Sequence, residues 1–251
     1  MAGHSKWANI KHSKARVDAK RGKIFTKHIR AITVAARTHG PDINANPSLR
    51  LAVDKALNDN MPKDTIQRAI NRGAGLEEGI TLMQIRYEGY GPNGVAVIVD
   101  CLTDNKNRTV AEVRHAFTKC GGNLGTDGSV AYLFAKRGFI TFEPQQNEEK
   151  IMEIALESGA EDITTNEDGS IDVTTDPETF EVVRDAMKKA NLPFISAEIT
   201  LLAATNVSLS DEAAAEKMLR LNDMLEDLDD VQAVYSNATI ADEIYEKMRS
   251  G

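Results

Sequence analysis

Apolar residues recur at helical spacing in the first third of the chain. The stripe Phe25, Ile29, Ile32 and Ala36 predicts a helix from about residue 18 to 39, which Gly40-Pro41 ends. A second helix begins at Asn46-Pro47, where asparagine can cap the helix and proline can take its first position. A third helix begins at Pro62 and stops before Gly73. The pattern therefore predicts a three-helix domain over residues 1–78.

From about residue 80 the pattern changes to short β-strand runs. Residues 83–102 predict two strands around a Gly-Pro-Asn-Gly turn, followed by a helix over about 107–120 and a glycine-rich loop that leads into a strand. Residues 139–203 follow the order β-α-β-β-α-β, which is typical of a ferredoxin-like fold. The tail adds a helix over about 211–227 and a final strand.

These elements combine into a domain organisation. Residues 79–138 supply β-β-α-β and residues 204–251 supply α-β, which together complete an α+β domain around the inserted 139–203 segment. The predicted fold class is therefore α+β, with an N-terminal three-helix domain followed by two ferredoxin-like α+β domains, one inserted in the other.

Charge divides at the end of the helical domain. Residues 1–72 hold fifteen Lys/Arg and five Asp/Glu, a net charge of +10. Residues 73–251 hold fifteen Lys/Arg and thirty-three Asp/Glu, a net charge of −18. The overall charge of −8 conceals this division. Two regions of opposite sign indicate different partners or different tasks.

Composition excludes several classes of protein. No apolar run approaches the roughly 20 residues of a membrane-spanning helix, and no apolar segment follows the basic start as in a secretory signal. The two cysteines, Cys101 and Cys120, have no metal-site spacing and are too few for a disulfide framework. We therefore expect a cytoplasmic protein with no membrane partner and no metal.

The basic residues at the start are candidates for nucleic-acid binding, because lysine and arginine at this density neutralise phosphates and release counterions. Trp7 can stack on an unpaired base or, as we prefer, pack against the helical domain. The alternatives are a solubilising tail for the arm and ordinary helix surface charge for the third helix. The candidate residues are Lys6, Trp7, Lys11, Lys14, Arg16, Lys20, Arg21, Lys23, Lys27, Arg30, Arg68 and Arg72.

Three helices also raise the possibility of a helix-turn-helix reader of DNA. The third helix is, however, poor in Asn and Gln, the residue types that read adenine edges. Recognition of the backbone or of shape is therefore expected, which suits duplex DNA and structured RNA equally.

A second contact surface is predicted on the helix over 107–120 and the glycine-rich loop that follows it. Glycines can bring backbone amides close to a phosphate or a partner, although they can equally supply turns with positive φ. The loop matches neither a P-loop nor GxGxxG. His115 and Cys120 point in different directions on one helix, so a nucleophile–base pair is not expected. The candidate residues are Arg108, His115, Lys119, Gly121, Gly122 and Gly125.

Acidic runs occur at Glu148-Glu149 and over residues 226–230. We interpret both as solvated helix ends rather than metal sites. The acidic region as a whole should avoid polyphosphate, so it would leave the helical domain to meet the nucleic acid, or it could bind basic proteins such as those of ribosomes.

Several segments resemble the YebC/PmpR family over essentially the whole chain. They are GHSKWANIKH, NPSLRLAVDKAL, YEGYGPNGVAVIVDCLTDNKNRTVAEVRHAFTKCGGNLGTDGSVAYLF and MLRLNDML. The resemblance implies three domains and a non-enzymatic regulator of gene expression without cofactor or small-molecule substrate. Bacterial members are usually described as probable DNA-binding transcriptional regulators.

The same resemblance implies a second possible function. A mitochondrial relative activates translation of cytochrome c oxidase subunit I, and bacterial members have been tied to ribosomes stalled on proline-rich sequences. Two hypotheses therefore stand: a DNA-binding transcriptional regulator, or a ribosome-associated translation factor that binds ribosomal or transfer RNA. The oligomeric state is left open.

Overall fold

A computed structural model of the 251-residue chain describes residues 21–77, 81–240 and 244. The described residues form seven α-helices and ten β-strands. A helical segment comes first and is followed by two antiparallel four-stranded sheets, so the α+β fold class is confirmed. No helix in the described part of the chain is both long and apolar enough to cross a membrane.

The helical segment consists of α1 (Arg21–His39), α2 (Pro47–Asn58) and α3 (Lys63–Gly73). Gly40 follows α1 with φ at +91°, a left-handed conformation that glycine adopts without steric cost. The side chain of Asn46 caps α2 by accepting a hydrogen bond from the Leu49 amide at 3.0 Å. The three helices enclose a small core of aliphatic residues, among them Ile32, Ala36, Leu49, Ala56, Ile66 and Ile70.

The first sheet has the strand order β3-β1-β2-β9, with every pairing antiparallel. Its strands are β1 (Met83–Tyr90), β2 (Ala96–Thr103), β3 (Asn123–Leu124) and β9 (Val231–Ser236). Helices α4 (Lys106–Lys119) and α7 (Glu212–Glu226) pack on one face. A Cβ on Gly89 would lie 2.9 Å from Phe117 of α4, and one on Gly91 would lie 3.0 Å from Met218 of α7.

The second sheet has the order β5-β6-β4-β7, again fully antiparallel. The chain runs β4 (Phe134–Phe142), α5 (Glu148–Ser158), β5 (Asp162–Thr165), β6 (Ile171–Thr175), α6 (Phe180–Lys189) and β7 (Ser196–Ala203). Ile140, Phe142, Ile151, Val173 and Phe180 form the centre of its core. This is the predicted β-α-β-β-α-β order.

Three details differ from the sequence-based expectation. β4 begins at Phe134 and pairs with β7 from that residue onward, so the predicted limit at 138/139 falls inside one strand. The third strand of the first sheet is instead the two-residue β3. A short parallel pair, β8 (Val207–Leu209) with β10 (Ala238–Ile240), had no sequence signal because three residues are too few to show alternation.

The described chain separates into two compact units. The helical–sheet unit comprises residues 21–77, 81–130 and 216–236, and the ferredoxin-like unit comprises residues 131–215 and 237–240. The helical segment and the first sheet thus belong to one unit, and the contacts described below lie within it.

Candidate nucleic-acid interface

The N-terminal part of the predicted interface lies outside the described residues. Lys6, Trp7, Lys11, Lys14, Arg16 and Lys20 precede the described chain, and the side chain of Arg21 is not described either. The role of these residues therefore stays a prediction from sequence. Five of the predicted nucleic-acid contacts are described: Lys23, Lys27, Arg30, Arg68 and Arg72.

Three of these five, Lys23, Lys27 and Arg30, form a row on α1 that contacts the end of α7. The Nζ of Lys27 donates to the Glu226 carbonyl at 2.7 Å, and the Nζ of Lys23 donates to the Asp227 carbonyl at 2.9 Å. Arg30 Nη1 donates to the Asp229 carbonyl at 2.6 Å. Cations are stabilising at a helix C-terminus, where the carbonyls lack intrahelical partners. The α1 row therefore binds its own chain in this structure.

Asp230 anchors the end of the α1 row. Its carboxyl accepts from Arg30 Nη1 at 2.6 Å and from Arg108 Nη2 at 2.8 Å. The hydroxyls of Thr103 and Thr109 lie 3.0 and 2.7 Å from the same carboxyl. Only 2% of the Asp230 side chain is exposed. Such a buried charge is tolerated where it is paired and hydrogen-bonded.

Two opposing effects set the pKa of Asp230. Burial raises it, because a buried carboxylate loses its hydration. The hydrogen bonds from Arg108, Thr109, Arg30 and Thr103 outweigh burial and lower the pKa to about 2. Asp230 is therefore ionised throughout the physiological range and holds two arginines from different elements.

These contacts change the interpretation of the acidic run over residues 226–230. The sequence predicted a solvated helix end, and α7 does end at Glu226. Asp230 is buried, however, and the carbonyls of Glu226 and Asp227 are occupied by lysines. The solvated-end interpretation is therefore wrong for Asp230. Sequence reasoning missed this residue because its partner on α1 lies 200 positions away.

Arg108, predicted for the second contact surface, is also held internally. Its Nη2 lies 2.8 Å from Asp104 and 2.8 Å from Asp230. The hydrogen bond to Asp230, followed by the one to Asp104, raises the pKa of the guanidinium. His115 and Lys119 lie on the exposed side of α4, so they remain available as a contact surface.

The glycine-rich loop over residues 121–128 is organised by Glu88. This glutamate is only 3% exposed and lies on β1. Its two carboxyl oxygens accept from the amides of Gly128 at 2.9 Å and Val130 at 2.8 Å, and its carbonyl accepts from the Gly125 amide at 2.8 Å. Sequence reasoning missed Glu88, because it continues the polar alternation of Gln84 and Arg86 along β1 and so gives no sign of being buried.

The glycines of this loop serve turns and close contacts. Gly121 has φ at +79°, and its amide donates to the Thr118 carbonyl at 3.2 Å. The Gly122 amide donates to the Phe117 carbonyl at 2.9 Å, and a Cβ at this position would overlap the carbonyl oxygen of Tyr90. Because the amides of Gly121, Gly122 and Gly125 already have acceptors, the alternative of a structural turn is favoured over a phosphate cradle.

The cations of α3 are exposed. Arg68 donates from Nε to the Asp64 carbonyl of its own helix at 3.3 Å. Arg72 Nε lies 3.7 Å from a carboxyl oxygen of Glu77, with both side chains about two-fifths exposed. An exposed ion pair of this kind contributes little energy and is readily exchanged for a phosphate. Lys63 is also exposed at the start of α3.

α3 also carries Gln67 and Asn71, each one position before an arginine, although the sequence had predicted a helix poor in Asn and Gln. The Nε2 of Gln67 donates to the Oδ1 of Asn71 at 3.1 Å. The α2–α3 connection contains Asn60 with φ at +60°, a left-handed conformation that is common just after the end of a helix.

The two cysteines are buried, and their environment does not favour the reactive thiolate form. Burial raises the pKa of Cys101 to about 12 and also raises the pKa of Cys120. The Cys120 sulfur lies 3.8 Å from that of Met224, whereas His115 is exposed. Within residues 21–77 and 81–240, no group of three or more His, Cys, Asp or Glu side chains is arranged to hold a metal ion.

The fold and charge pattern define a class: an α+β protein with a basic helical N-terminal segment and two four-stranded antiparallel sheets. Family comparison then identifies the family. Residues 5–76 match the TACO1/YebC protein N-terminal domain, and residues 82–238 match the TACO1/YebC second and third domain. The chain therefore belongs to the TACO1/YebC family.

Individual relatives agree with this assignment. A "Probable transcriptional regulatory protein" of Coxiella burnetii (strain RSA 493 / Nine Mile phase I) is 71% identical over 244 residues, covering 97% of this chain and all of the relative. A protein of the same description from Francisella tularensis subsp. novicida is 61% identical over 248 residues, covering 99% of this chain and all of the relative. These names support a role as a regulator.

A solved structure is similar to the whole fold. The conserved hypothetical protein Aq1575 from Aquifex aeolicus superposes with a TM-score of 0.83 at 47% sequence identity. The match covers 94% of this chain and 98% of the Aquifex chain. It supports the arrangement of the elements described above.

Proposed function

We propose that this protein is a non-enzymatic, cytoplasmic regulator of gene expression that binds duplex DNA through its basic N-terminal region. The observation that carries the proposal is the division of charge: +10 over residues 1–72 against −18 over residues 73–251. The basic region attracts a polyanion, and the acidic remainder repels it. The names of the relatives, probable transcriptional regulatory proteins, point to the same function.

The contacts within the helical–sheet unit narrow the proposed interface. Lys23 and Lys27 donate to carbonyls at the end of α7 and Arg30 pairs with Asp230, so we remove all three from the DNA-binding set. The set that remains comprises the arm residues up to Arg21 and the exposed cations of α3. On α4, His115 and Lys119 remain a second contact surface, and Arg108 leaves it.

A ribosome-associated translation factor is the second candidate function. The charge of the acidic region favours it, because a surface with a net charge of −18 can bind the basic proteins of a ribosome while the arm contacts RNA. Both candidate functions use the basic arm. They differ in the nucleic acid that the arm binds, DNA or RNA, and only the second requires a protein partner.

Salt-dependent binding tests the proposal. We would measure the affinity of the full-length protein for a labelled duplex at several salt concentrations and repeat the series with Lys11→Glu/Lys14→Glu/Lys20→Glu. The triple variant should bind more weakly, and its log–log salt slope should flatten by up to about 2.7, at about 0.9 per lost phosphate contact.

The matched control is Lys136→Glu/Lys188→Glu/Lys189→Glu. It changes three exposed lysines of the ferredoxin-like unit and alters the net charge by the same amount. The control should retain the wild-type slope. An equal loss of duplex affinity in both variants would mean that net charge alone governs binding. An unchanged salt slope in the arm variant would remove the arm from the interface.

A further inference from the structure

The proposed function uses only the cations on the polar face of helix α3, and two amide side chains on that face have no role in it. Gln67 and Asn71 lie four residues apart, and Arg68 and Arg72 repeat the same spacing one position further around the helix. On the opposite side, the residues Ile66, Ala69, Ile70 and Gly73 are buried. Residues four apart are neighbours on a helix surface, so the amide pair and the arginine pair form two adjacent rows.

The amide pair has a defined hydrogen-bonding character. The Gln67 amide donates one hydrogen to Asn71 Oδ1, which leaves an acceptor on Gln67 and the amino group of Asn71 as a donor. Within the described part of the chain these two groups make no other hydrogen bond to a side chain or loop. The pair therefore presents one acceptor beside one donor.

This pattern is complementary to one base. In the major groove adenine offers the N7 acceptor beside the N6 amino donor, whereas guanine offers two acceptors, N7 and O6. Asn and Gln are the side chains that pair with the adenine edge, and arginine on either side can neutralise phosphates. Asp64 lies at the N-terminal end of the same face and opposes this attraction with one negative charge.

α3 is also held firmly enough to position these groups. A Cβ on Gly73 would overlap the Thr33 carbonyl oxygen and lie 2.7 Å from the Ala36 Cβ, so α3 lies directly against α1. The Thr33 hydroxyl donates to the Ala69 carbonyl across the same contact at 3.2 Å. A rigid helix positions its side chains more precisely than a loop.

We propose that α3 enters the major groove of duplex DNA, where Gln67 and Asn71 together recognise adenine while Arg68 and Arg72 contact phosphates. The inference rests on the proposed DNA-binding function and adds sequence preference to it. A helix of 11 residues is about 16 Å long and fits a groove about 12 Å wide. The narrow, deep major groove of A-form RNA does not admit a helix, so the inference selects DNA.

The test is selection from a pool of randomised duplexes by the full-length protein, followed by sequencing. We would compare wild type with Gln67→Ala/Asn71→Ala and with Gln84→Ala, an exposed amide on β1. Wild type and Gln84→Ala should enrich A·T over G·C at one or two fixed positions by about tenfold. The double variant should lose the enrichment yet bind the unselected pool within about threefold of wild type.

The outcomes separate this inference from the function on which it rests. Alanine is the best helix former, and circular dichroism would verify that the double variant keeps its helices. Tight binding to the pool without enrichment, or the same enrichment in wild type and double variant, would overturn base recognition by α3 while leaving DNA binding intact. Failure of the wild type to bind any duplex would overturn both.

Discussion

Arg30 and Asp230 lie 200 residues apart in sequence and form a 2.6 Å ion pair that joins the helical segment to the first sheet. The pair connects α1 to the residue that precedes β9, and Arg108 and two threonines complete the surroundings of the carboxylate. A basic residue of the N-terminal region thus has a structural role within its own chain.

Removing the carboxylate should destabilise the protein strongly. Asp230→Ala leaves Arg30 and Arg108 without their shared partner, and breaking a buried pair by removing one member costs about 3–5 kcal/mol of unfolding free energy. Urea unfolding would measure the loss. The matched control is Asp229→Ala: this side chain is exposed, and the substitution keeps the backbone carbonyl that Arg30 contacts. A loss below 1 kcal/mol in Asp230→Ala would contradict the structural role.

The lowered pKa of the Asp230 carboxyl should be visible in the dependence of the unfolding free energy on acidic pH. The pKa of Asp230 is about 2 in the folded chain and about 3.9 in an unfolded one, so the folded state binds the proton less tightly. Its contribution of about 2.6 kcal/mol is therefore fully present above pH 5 and is lost as pH falls from about 4 to about 2. Unfolding free energy measured over this range should fall more steeply in wild type than in Asp230→Asn, and parallel curves would exclude a depressed pKa.

Neutralising the lysines of α1 should affect stability more than DNA binding. Lys23→Gln/Lys27→Gln removes two exposed hydrogen bonds to the end of α7, at a cost of about 0.3–1 kcal/mol each. Duplex affinity should stay within about twofold of Lys188→Gln/Lys189→Gln, which carries the same change in net charge. A loss of affinity as large as that of an equal change in the arm would return Lys23 and Lys27 to the interface.

Alanine substitutions should distinguish two kinds of glycine in the glycine-rich loop, one required by a close contact and one by a positive φ. Gly122→Ala places a Cβ against the Tyr90 carbonyl and should cost more than about 2 kcal/mol, because neither backbone segment can move easily. Gly128→Ala has open space around its Cβ but a φ of +80°, so it should cost only about 1 kcal/mol. Thermal unfolding would rank the two variants, and the reverse order would show that φ rather than the close contact constrains the loop.

Local patterns in the sequence predicted most of the elements. Asn46-Pro47 predicted a helix start and Gly40 a helix end, because capping asparagine, proline and glycine act on the adjacent backbone. The order of strands and helices over residues 139–203 predicted the ferredoxin-like sheet, because each of these elements shows its pattern within a short window. The sequence predicted that β4 starts at residue 139, which is too late. Residues 134–137 show no apolar alternation, and only their pairing with β7 makes them part of the strand.

The candidate site was less predictable for a physical reason. Charge density indicates affinity for phosphate, but it does not reveal that a carboxylate such as Asp230 or a helix end already satisfies a given lysine or arginine. Glu88 illustrates the same limit, because its partners are backbone amides forty residues further along the chain. The sequence-based description of the third helix as poor in Asn and Gln overlooked that Gln67 and Asn71, four residues apart, share one face.

Sedimentation of a DNase-treated lysate through a sucrose gradient tests the central claim most directly. If the target is DNA, the full-length protein should stay at the top of the gradient at low and moderate salt. Migration with the 70S peak, abolished by Lys11→Glu/Lys14→Glu/Lys20→Glu but not by Lys136→Glu/Lys188→Glu/Lys189→Glu, would contradict DNA as the target and make this protein a translation factor whose arm binds RNA.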